Sequence, residues 1–286
     1  MSPCQTRMMA TGAARVAGVT GFPVAHSLSP RLHGFWLAEL DLDGIYAPFP
    51  VTPDAFATAV RGLAAAGVSG INVTVPHKRR AFDLSDTLDP AARAIGAVNT
   101  LLFHADGRIE GRNTDAHGFI ANLVEHGVDP AAGPVLVLGA GGAARAAVHG
   151  LLAAGAPEVR IANRTRATAE ALAGDLGDHR IRVVDDSVRL DMPGDLALLV
   201  NTTSLGMRGK DPLAVDLGGL GARTVVHDIV YVPLETPLLA AARARGLVAV
   251  DGLGMLLHQA VPAFEAFFGL RPQVTPALRQ HLLAVL

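Results

Sequence analysis

Polar side chains near the ends of predicted β-strands in the N-terminal part of the chain could bind a small acid that carries several hydroxyl groups. They comprise hydroxyls, amides and one ammonium: Ser27, Ser29, Asn72, Thr74, Lys78 and Asn99. Ligands of open parallel sheets bind outside the carboxyl ends of the strands. Hydroxyls and amides offer donors and acceptors to such a ligand, and an ammonium can stabilise and then protonate an oxygen that gains negative charge. The set predicts a neutral-to-cationic pocket.

These residues also have structural interpretations. Ser29 stands directly before Pro30, which predicts a helix whose N-cap is Ser29. Asn72 and Thr74 could form the solvated face of a half-buried strand. Asp115 could serve only as a helix N-cap, and Lys78 could be an ordinary surface lysine.

A glycine turn in the middle of the chain indicates a dinucleotide site. Gly139-Ala140-Gly141-Gly142-Ala143 follows an apolar strand at residues 135–138. The first glycine permits a tight turn, the second lets the backbone approach a pyrophosphate, and a small residue at Ala144 lets helix and strand pack closely. The phosphates would then meet free N–H groups at the helix start. A glycine turn between strand and helix is also a plain structural device.

The residues after the next predicted strand favour NADP as the cofactor. Asn163, Arg164, Thr165 and Arg166 stand where an NAD-binding fold normally places an acidic residue for the ribose 2′-hydroxyl. A carboxylate there would repel a phosphate, whereas guanidinium groups bind one with two hydrogen bonds. Arg164 and Arg166 are therefore predicted to hold the 2′-phosphate. The alternative is that both arginines are solvated at the start of a surface helix.

The amino-acid composition excludes several classes of function for this chain. The chain has 286 residues, of which 50% are hydrophobic and 17% are charged, with a formal net charge of −2. This excludes long disorder and gives no basic footprint for nucleic acid, so small molecules are the expected partners. Cys4 is the only cysteine, which excludes a disulfide within one chain, and no histidine pattern suggests a metal site. With neither a signal peptide nor a membrane span indicated, we expect a cytoplasmic protein, monomeric or homodimeric, with a loose tail at residues 1–14.

Strands and helices alternate along the chain, which predicts an α/β fold with a doubly wound parallel sheet in the second half. The alternation at residues 71–75 predicts a strand with Ile71, Val73 and Val75 on one face. A helix after Asp115 is expected to turn Phe119, Leu123 and Val124 inward, and a last long helix begins near Gly254.

Longer motifs spread over almost the whole chain resemble the shikimate dehydrogenase family. Besides the glycine turn and Asn163-Arg164-Thr165, they are Gly21-x-Pro23-x-x-His26-Ser27-x-Ser29-Pro30, Asn72-Val73-Thr74-Val75-Pro76-x-Lys78, Gly96-Ala97-Val98-Asn99-Thr100, Asn113-Thr114-Asp115, Asn201-x-Thr203-Ser204-x-Gly206-Met207, Asp228-x-x-Tyr231-x-Pro233-x-x-Thr236-Pro237-Leu238 and Asp251-Gly252-x-Gly254-Met255-Leu256-x-x-Gln259. The resemblance implies reversible NADP-dependent reduction of 3-dehydroshikimate to shikimate, a step of aromatic amino-acid biosynthesis through chorismate.

The resemblance also implies domains and residue roles. Residues 15–112 would form an α/β substrate-binding domain, 113–252 a Rossmann-like NADP domain with the cleft between them, and 253–286 helices that return to the first domain. Lys78 and Asp115 would be the catalytic acid–base pair. The implied substrate ligands are Ser27, Ser29, Asn72, Thr74, Asn99, Tyr231 and Gln259. The implied cofactor residues, besides the glycine turn and residues 163–166, are Thr203, Ser204, Met207, Gly252 and Met255.

Three positions depart from the family's usual pattern without removing an implied ligand: Gly34, Ala116 and His77. We expect structural or supporting roles for His26 and His77. Quinate or aminoshikimate dehydrogenase activity is the nearest alternative; Ser27 argues against quinate because a threonine there would suit quinate-type substrates. A catalytically silent NADP-binding regulator would be expected to lack Lys78 or Asp115, and both are present.

Overall fold

The computed structural model describes residues 10–286, which divide into two compact units. The first unit contains the described residues up to Thr114 together with Ala260–Val285, and the second contains Asp115–Gln259. The chain thus divides after Thr114 and Gln259, whereas the sequence placed the divisions after residues 112 and 252. Cys4 and most of the expected tail lie outside the described residues.

The first unit contains a mixed six-stranded sheet. Its strands, in chain order, are β1 (Arg15–Gly21), β2 (Gly44–Pro50), β3 (Gly70–Val73), β4 (Thr87–Leu88), β5 (Thr100–Phe103) and β6 (Ile109–Arg112). The spatial order is β2-β1-β3-β5-β6-β4. β1 pairs in parallel with both β2 and β3, whereas β5 is antiparallel to its neighbours. The ends of β1 and β3 therefore meet at one edge of the sheet, where Ser27, Thr74 and Lys78 follow in sequence.

Short helices cover this sheet. They are α1 (Ser29–Glu39), α2 (Phe56–Ala65), α3 (Lys78–Leu84) and α4 (Pro90–Ile95), and the C-terminal segment of the chain adds further helical turns to the same unit. α2 buries Phe56 and Val60 at helical spacing against Ile71 and Val73 of β3. β3 is buried along its whole length, because helices cover both of its faces.

The second unit is built on an all-parallel six-stranded sheet. Its strands are β7 (Val135–Leu138), β8 (Val159–Ala162), β9 (Ile181–Val184), β10 (Leu198–Asn201), β11 (Val225–Asp228) and β12 (Val248–Val250). The spatial order is β12-β11-β10-β7-β8-β9. This is the doubly wound dinucleotide-binding order, and the chain reverses direction across the sheet between β7 and β10.

Five helices connect or flank these strands in the described part of the second unit. They are α5 (Asp115–Glu125), α6 (Gly142–Ala153), α7 (Arg166–Leu176), α8 (Pro237–Ala244) and the first part of α9 (Leu253–Phe268), which the division into units splits before Ala260. A further helix, α10 (Pro276–Leu283), belongs to the first unit. Apolar residues of β7 and β8 pack against α6 in one core, with Val137 and Leu151 fully buried. The predicted α/β class and the doubly wound sheet are confirmed.

Three local predictions are wrong. Ser29 is the first helical residue of α1, and Leu28 occupies the N-cap without a side-chain hydrogen bond. β3 ends at Val73, so Val75 falls outside the strand and is 70% exposed. Val124 is 60% exposed, because one residue step along α5 rotates it by about 100° away from the buried Leu123.

Candidate active site

The two predicted substrate serines lie on the segment that follows β1. The Ser29 backbone N–H donates to Ser27 Oγ at 3.3 Å. Ser29 is buried at the start of α1, and its hydroxyl lies near the hydroxyl of Tyr46 on β2, where it favours a lower pKa of that phenol while burial raises it. Thr74 is half-buried after β3, where its backbone N–H donates to the Thr20 carbonyl at 2.9 Å.

The structure brings the two predicted substrate asparagines of the first unit into one buried network. Asn72 accepts a hydrogen bond at Oδ1 from Tyr46 Oη at 2.6 Å. Its Nδ2 donates to Thr100 Oγ1 at 3.0 Å, and Thr100 Oγ1 lies 3.1 Å from Asn99 Oδ1. Asn99 in turn binds both the backbone and the side chain of Thr114. Asn72 is thus not on a solvated strand face, and its orientation is set by its neighbours.

Lys78 is the first residue of α3 and is half-buried. Its carbonyl accepts the Val98 N–H at 3.0 Å, which ties the helix start to the segment before β5. The preceding His77 is fully buried; its Nε2 donates to the Val51 carbonyl at 2.7 Å, and its ring stacks on Phe56 with 4.6 Å between centroids. These contacts support a structural role for His77, which anchors the turn that presents Lys78.

In the second unit, the glycine turn has the geometry that a dinucleotide requires. Gly139 has a φ of +111°, and a Cβ there would lie 2.6 Å from Thr202 Oγ1. A Cβ at Gly141 or Gly142 would meet nothing within 4 Å, so the space beside this backbone is open. α6 begins there without a side-chain cap, and Ala144 packs fully buried behind it. The first N–H groups of α6 are therefore available to a phosphate, with Ala140 and Ala143 in the same turn.

The predicted 2′-phosphate residues follow β8. Asn163 Nδ2 donates to the Thr165 carbonyl at 2.8 Å, which tightens the turn into α7. Arg164 and Arg166 are both exposed. Arg166 Nε donates to Glu170 Oε1 at 2.8 Å, whereas the described residues offer Arg164 no acidic partner. The segment after β8 thus presents two guanidinium groups, one of them paired with Glu170, and guanidinium groups fit a phosphate.

The loop after β10, which carries Thr203, Ser204 and Met207, is organised by a buried network that sequence reasoning did not identify. Asn201 Oδ1 accepts from the N–H and the hydroxyl of Thr203, at 3.0 and 2.7 Å. Asn201 Nδ2 donates to Asp228 Oδ1 at 2.9 Å, and the hydroxyl of Thr236 donates to Asp228 Oδ2 at 2.7 Å. Burial raises the pKa of the Asp228 carboxyl, and these hydrogen bonds oppose that shift. The sequence identified these residues only as members of a motif, because their pairing joins the ends of β10 and β11 to the start of α8.

The remaining predicted residues of the second unit lie at or near the ends of elements, except Gln259, which lies within α9. Asp115 is the first residue of α5 and is 8% exposed. Tyr231 follows β11; burial raises the pKa of its phenol, which stays neutral and able to donate. Gly252 precedes α9, and a Cβ there would overlap the Ile229 carbonyl. Met255 and Gln259 lie on α9. Gly118 of α5 lies so close to this helix that a Cβ added at Gly118 would be 2.5 Å from Gln259 Cβ.

Residues 10–286 contain no group of three or more His, Cys, Asp or Glu side chains arranged to hold a metal ion. None of the helices in this range is both long enough and apolar enough to cross a membrane.

An all-parallel sheet in this order, with an open glycine turn at an uncapped helix, defines the second unit as a dinucleotide-binding domain of the oxidoreductase type. Three family models match the chain. "Shikimate dehydrogenase substrate binding domain" matches residues 19–101, "Shikimate / quinate 5-dehydrogenase" residues 123–189, and "Shikimate 5'-dehydrogenase C-terminal domain" residues 252–282. The chain belongs to the shikimate dehydrogenase family.

Individual relatives agree with this assignment. The NADP(+) shikimate dehydrogenase of Paramagnetospirillum magneticum is 56% identical over 96% of this chain and 100% of its own length. The crystal structure of Thermus thermophilus shikimate 5-dehydrogenase in complex with NADP(H) and shikimate has a TM-score of 0.85 and 37% identity, covering 95% of this chain and 100% of that one. Corynebacterium glutamicum quinate dehydrogenase in complex with NAD has a TM-score of 0.87 and 30% identity, over 95% and 99% of the two chains.

Proposed function

We propose that this chain catalyses the reversible NADP-dependent reduction of 3-dehydroshikimate to shikimate. The proposal rests on the observation that two sets of residues occur together in one chain of this family. The first unit has a buried network that orients predicted substrate ligands, and the second has an open glycine turn followed by Arg164 and Arg166. A relative with 56% identity over nearly the whole chain bears the name NADP(+) shikimate dehydrogenase.

The residues that would hold NADP fit its parts. The start of α6 would receive the pyrophosphate, and the guanidinium groups after β8 would receive the 2′-phosphate. The loop at Thr203 to Met207, with Met255, would line the nicotinamide. When bound, the cofactor supplies the hydride that reduces the substrate ketone.

The chain's own residues would bind the substrate and move the proton. As the ketone is reduced, its oxygen gains negative charge, and the Lys78 ammonium donates the proton that completes the hydroxyl group. In the oxidative direction the neutral amine accepts the proton from that hydroxyl. Asp115 would hold the ammonium in position. Ser27, Ser29, Thr74, Tyr231 and Gln259 would bind the carboxylate and hydroxyl groups, together with the amides of the buried network.

Replacement of Lys78 by Ala tests the acid–base assignment. We expect kcat to fall by two to four orders of magnitude, because general acid–base catalysis contributes about 10²–10⁴-fold, while the Kd for NADP stays within twofold of the wild type. Arg80→Ala is the matched control, because it removes a positive charge from the exposed face of the same helix. Turnover by Lys78→Ala at the wild-type rate would remove Lys78 from the mechanism.

Steady-state assays of the wild type with shikimate and quinate, each with NADP⁺ and NAD⁺, test the substrate and cofactor together. The proposal expects the highest kcat/KM for shikimate with NADP⁺. A preference for quinate with NAD⁺ would place the chain with quinate dehydrogenases. NADP binding without turnover of either substrate would indicate a silent regulator.

A further inference from the structure

A tyrosine that does not belong to the predicted site lies directly behind it. Tyr46 is on β2, an edge strand, and its side chain is buried with only 8% exposure. β1 separates β2 from β3, yet the Tyr46 hydroxyl reaches Asn72 on β3 at 2.6 Å. The register explains this reach: Ala17 of β1 pairs with Tyr46, and Val19, on the same face, pairs with Asn72. The small side chain of Ala17 leaves room for the phenol ring.

The hydrogen bonds beyond Asn72 run in one direction. The Tyr46 hydroxyl donates to Asn72 Oδ1, and Asn72 Nδ2 donates to Thr100 Oγ1. Thr100 Oγ1 then donates to Asn99 Oδ1 at 3.1 Å. Asn99 Oδ1 accepts the Thr114 N–H, so Thr100 Oγ1 donates to it and accepts from Asn72 Nδ2; this leaves Asn72 Oδ1 facing the Tyr46 hydroxyl, which is its donor. Consecutive hydrogen bonds of this kind also polarise one another.

The same hydroxyl lies near a second predicted substrate ligand. The Ser29 hydroxyl of α1 is close enough to favour a lower pKa of the Tyr46 phenol, whose hydroxyl donates to Asn72 of β3. The phenol ring itself is held by the buried His33 ring, which stacks on it with 3.8 Å between centroids and 9° between planes. Tyr46 thus has a fixed ring and a hydroxyl that donates to Asn72.

We propose that Tyr46 is a positioning residue for substrate binding, which holds Asn72 without touching the substrate. The inference rests on the proposed function, because Asn72 is a substrate ligand only there. Without the hydroxyl, Asn72 Oδ1 loses this buried donor, and the amide is held less firmly. The substrate would then be held less well in the ground state and in the transition state alike.

Tyr46→Phe tests this proposal, with shikimate and NADP⁺ as the probes. We expect the KM for shikimate to rise about 5–30-fold, as for the loss of a buried hydrogen bond, while kcat changes less and the KM for NADP⁺ stays within twofold. Wild-type turnover of shikimate is measured first. If the wild type does not oxidise shikimate, the proposed function fails, and that outcome is distinct from an unchanged KM in the variant.

Trp36→Phe is the matched control. Trp36 Nε1 donates to the Gln273 carbonyl at 2.9 Å and packs against the same His33 ring, but it has no bond to Ser29 or Asn72. This variant should lower Tm as Tyr46→Phe does and leave the KM for shikimate unchanged. A Tyr46→Phe protein with a lowered Tm and a wild-type KM would show that the tyrosine only stabilises the fold.

A second pair of variants covers the case in which Tyr46→Phe does not fold. Thr100→Val removes the hydroxyl that accepts from Asn72 and donates to Asn99, at nearly constant volume. We expect a similar rise in the KM for shikimate, and its reversal in Thr100→Ser, which keeps the hydroxyl. A wild-type KM in folded Thr100→Val would overturn the proposal.

Discussion

At the scale of single residues, Arg164 and Arg166 carry the same charge in different surroundings. Arg166 is paired with Glu170 one helical turn away, so a bound phosphate would have to compete with that carboxylate. Exposed pairs of this spacing are worth only a few tenths of a kcal/mol, but they also hold the side chain along the helix. Arg164 has no acidic partner among residues 10–286. We therefore expect Arg164 to account for most of the preference for NADP.

Arg164→Gln and Arg166→Gln test this difference. Loss of a charge-assisted phosphate contact costs about 1.5–3 kcal/mol, so Arg164→Gln should reduce kcat/KM for NADP⁺ about 10- to 100-fold, with little change for NAD⁺. Arg166→Gln should have a smaller effect, below about tenfold. Glu170→Gln is the control, because it releases Arg166 and should improve NADP⁺ binding slightly or leave it unchanged. Equal losses in the two arginine variants would contradict the assignment.

At the scale of elements, two glycines of the turn before α6 have different roles: the fold requires one of them, and the bound cofactor requires the other. Gly139 is required by the fold, because its φ is positive and Thr202 occupies the space of a Cβ. Gly141 is different: its φ of −83° and ψ of −169° suit any residue, and nothing lies within 4 Å of a Cβ. The fold does not need a glycine there, whereas a pyrophosphate close to the backbone does.

Gly141→Ala should therefore keep its Tm within about 2 °C of the wild type and still bind NADP at least tenfold more weakly, because the methyl group occupies the space of the phosphates. Thermal unfolding and isothermal titration with NADP⁺ measure the two effects. Gly174→Ala on α7, another position with open space around the Cβ, should leave both quantities near wild type. Wild-type affinity in Gly141→Ala would remove this turn from the cofactor site.

The elements also show what sequence patterns can predict. β7 was predictable because buried parallel strands are uninterrupted apolar runs, whereas β9, which contains Arg182, was not predicted. β2 was not predicted: it is an edge strand that contains the exposed Pro48 and Pro50, and prolines obscure the pattern of a strand. The candidate ligands followed from motifs, but Tyr46 did not, because its contact with Asn72 depends on the register of three strands. Polar networks of this kind are set by tertiary pairing, which local spacing does not encode.

At the scale of the whole molecule, each unit contains a histidine buried in neutral form. His33 in the first unit and His227 in the second are fully buried, and burial lowers the pKa of each from 6.5 to about 3. Between these values the unfolded chain binds a proton at each site and the folded protein does not. The stability that these groups contribute is therefore complete above about pH 6.5 and decreases as the pH falls toward 3. Each contributes a slope of about 1.4 kcal/mol per pH unit to the free energy of unfolding in that window.

His33→Phe isolates one of these two contributions. Both ring nitrogens of His33 lack a hydrogen-bond partner, and the ring packs among Trp36, Tyr46 and Phe264, so a phenyl ring suits the same space. At pH 7.5 we expect an unfolding free energy within about 1 kcal/mol of the wild type, because no hydrogen bond is lost. At pH 5 the variant should gain about 2 kcal/mol relative to the wild type, since it no longer has a site that only the unfolded chain protonates. Urea unfolding followed by the fluorescence of Trp36, the only tryptophan in the chain, reports on this unit. His179→Gln is the control, because this side chain is 93% exposed, and it should show the wild-type pH dependence of the unfolding free energy. A wild-type pH dependence in His33→Phe would instead mean that His33 is protonated in the folded protein.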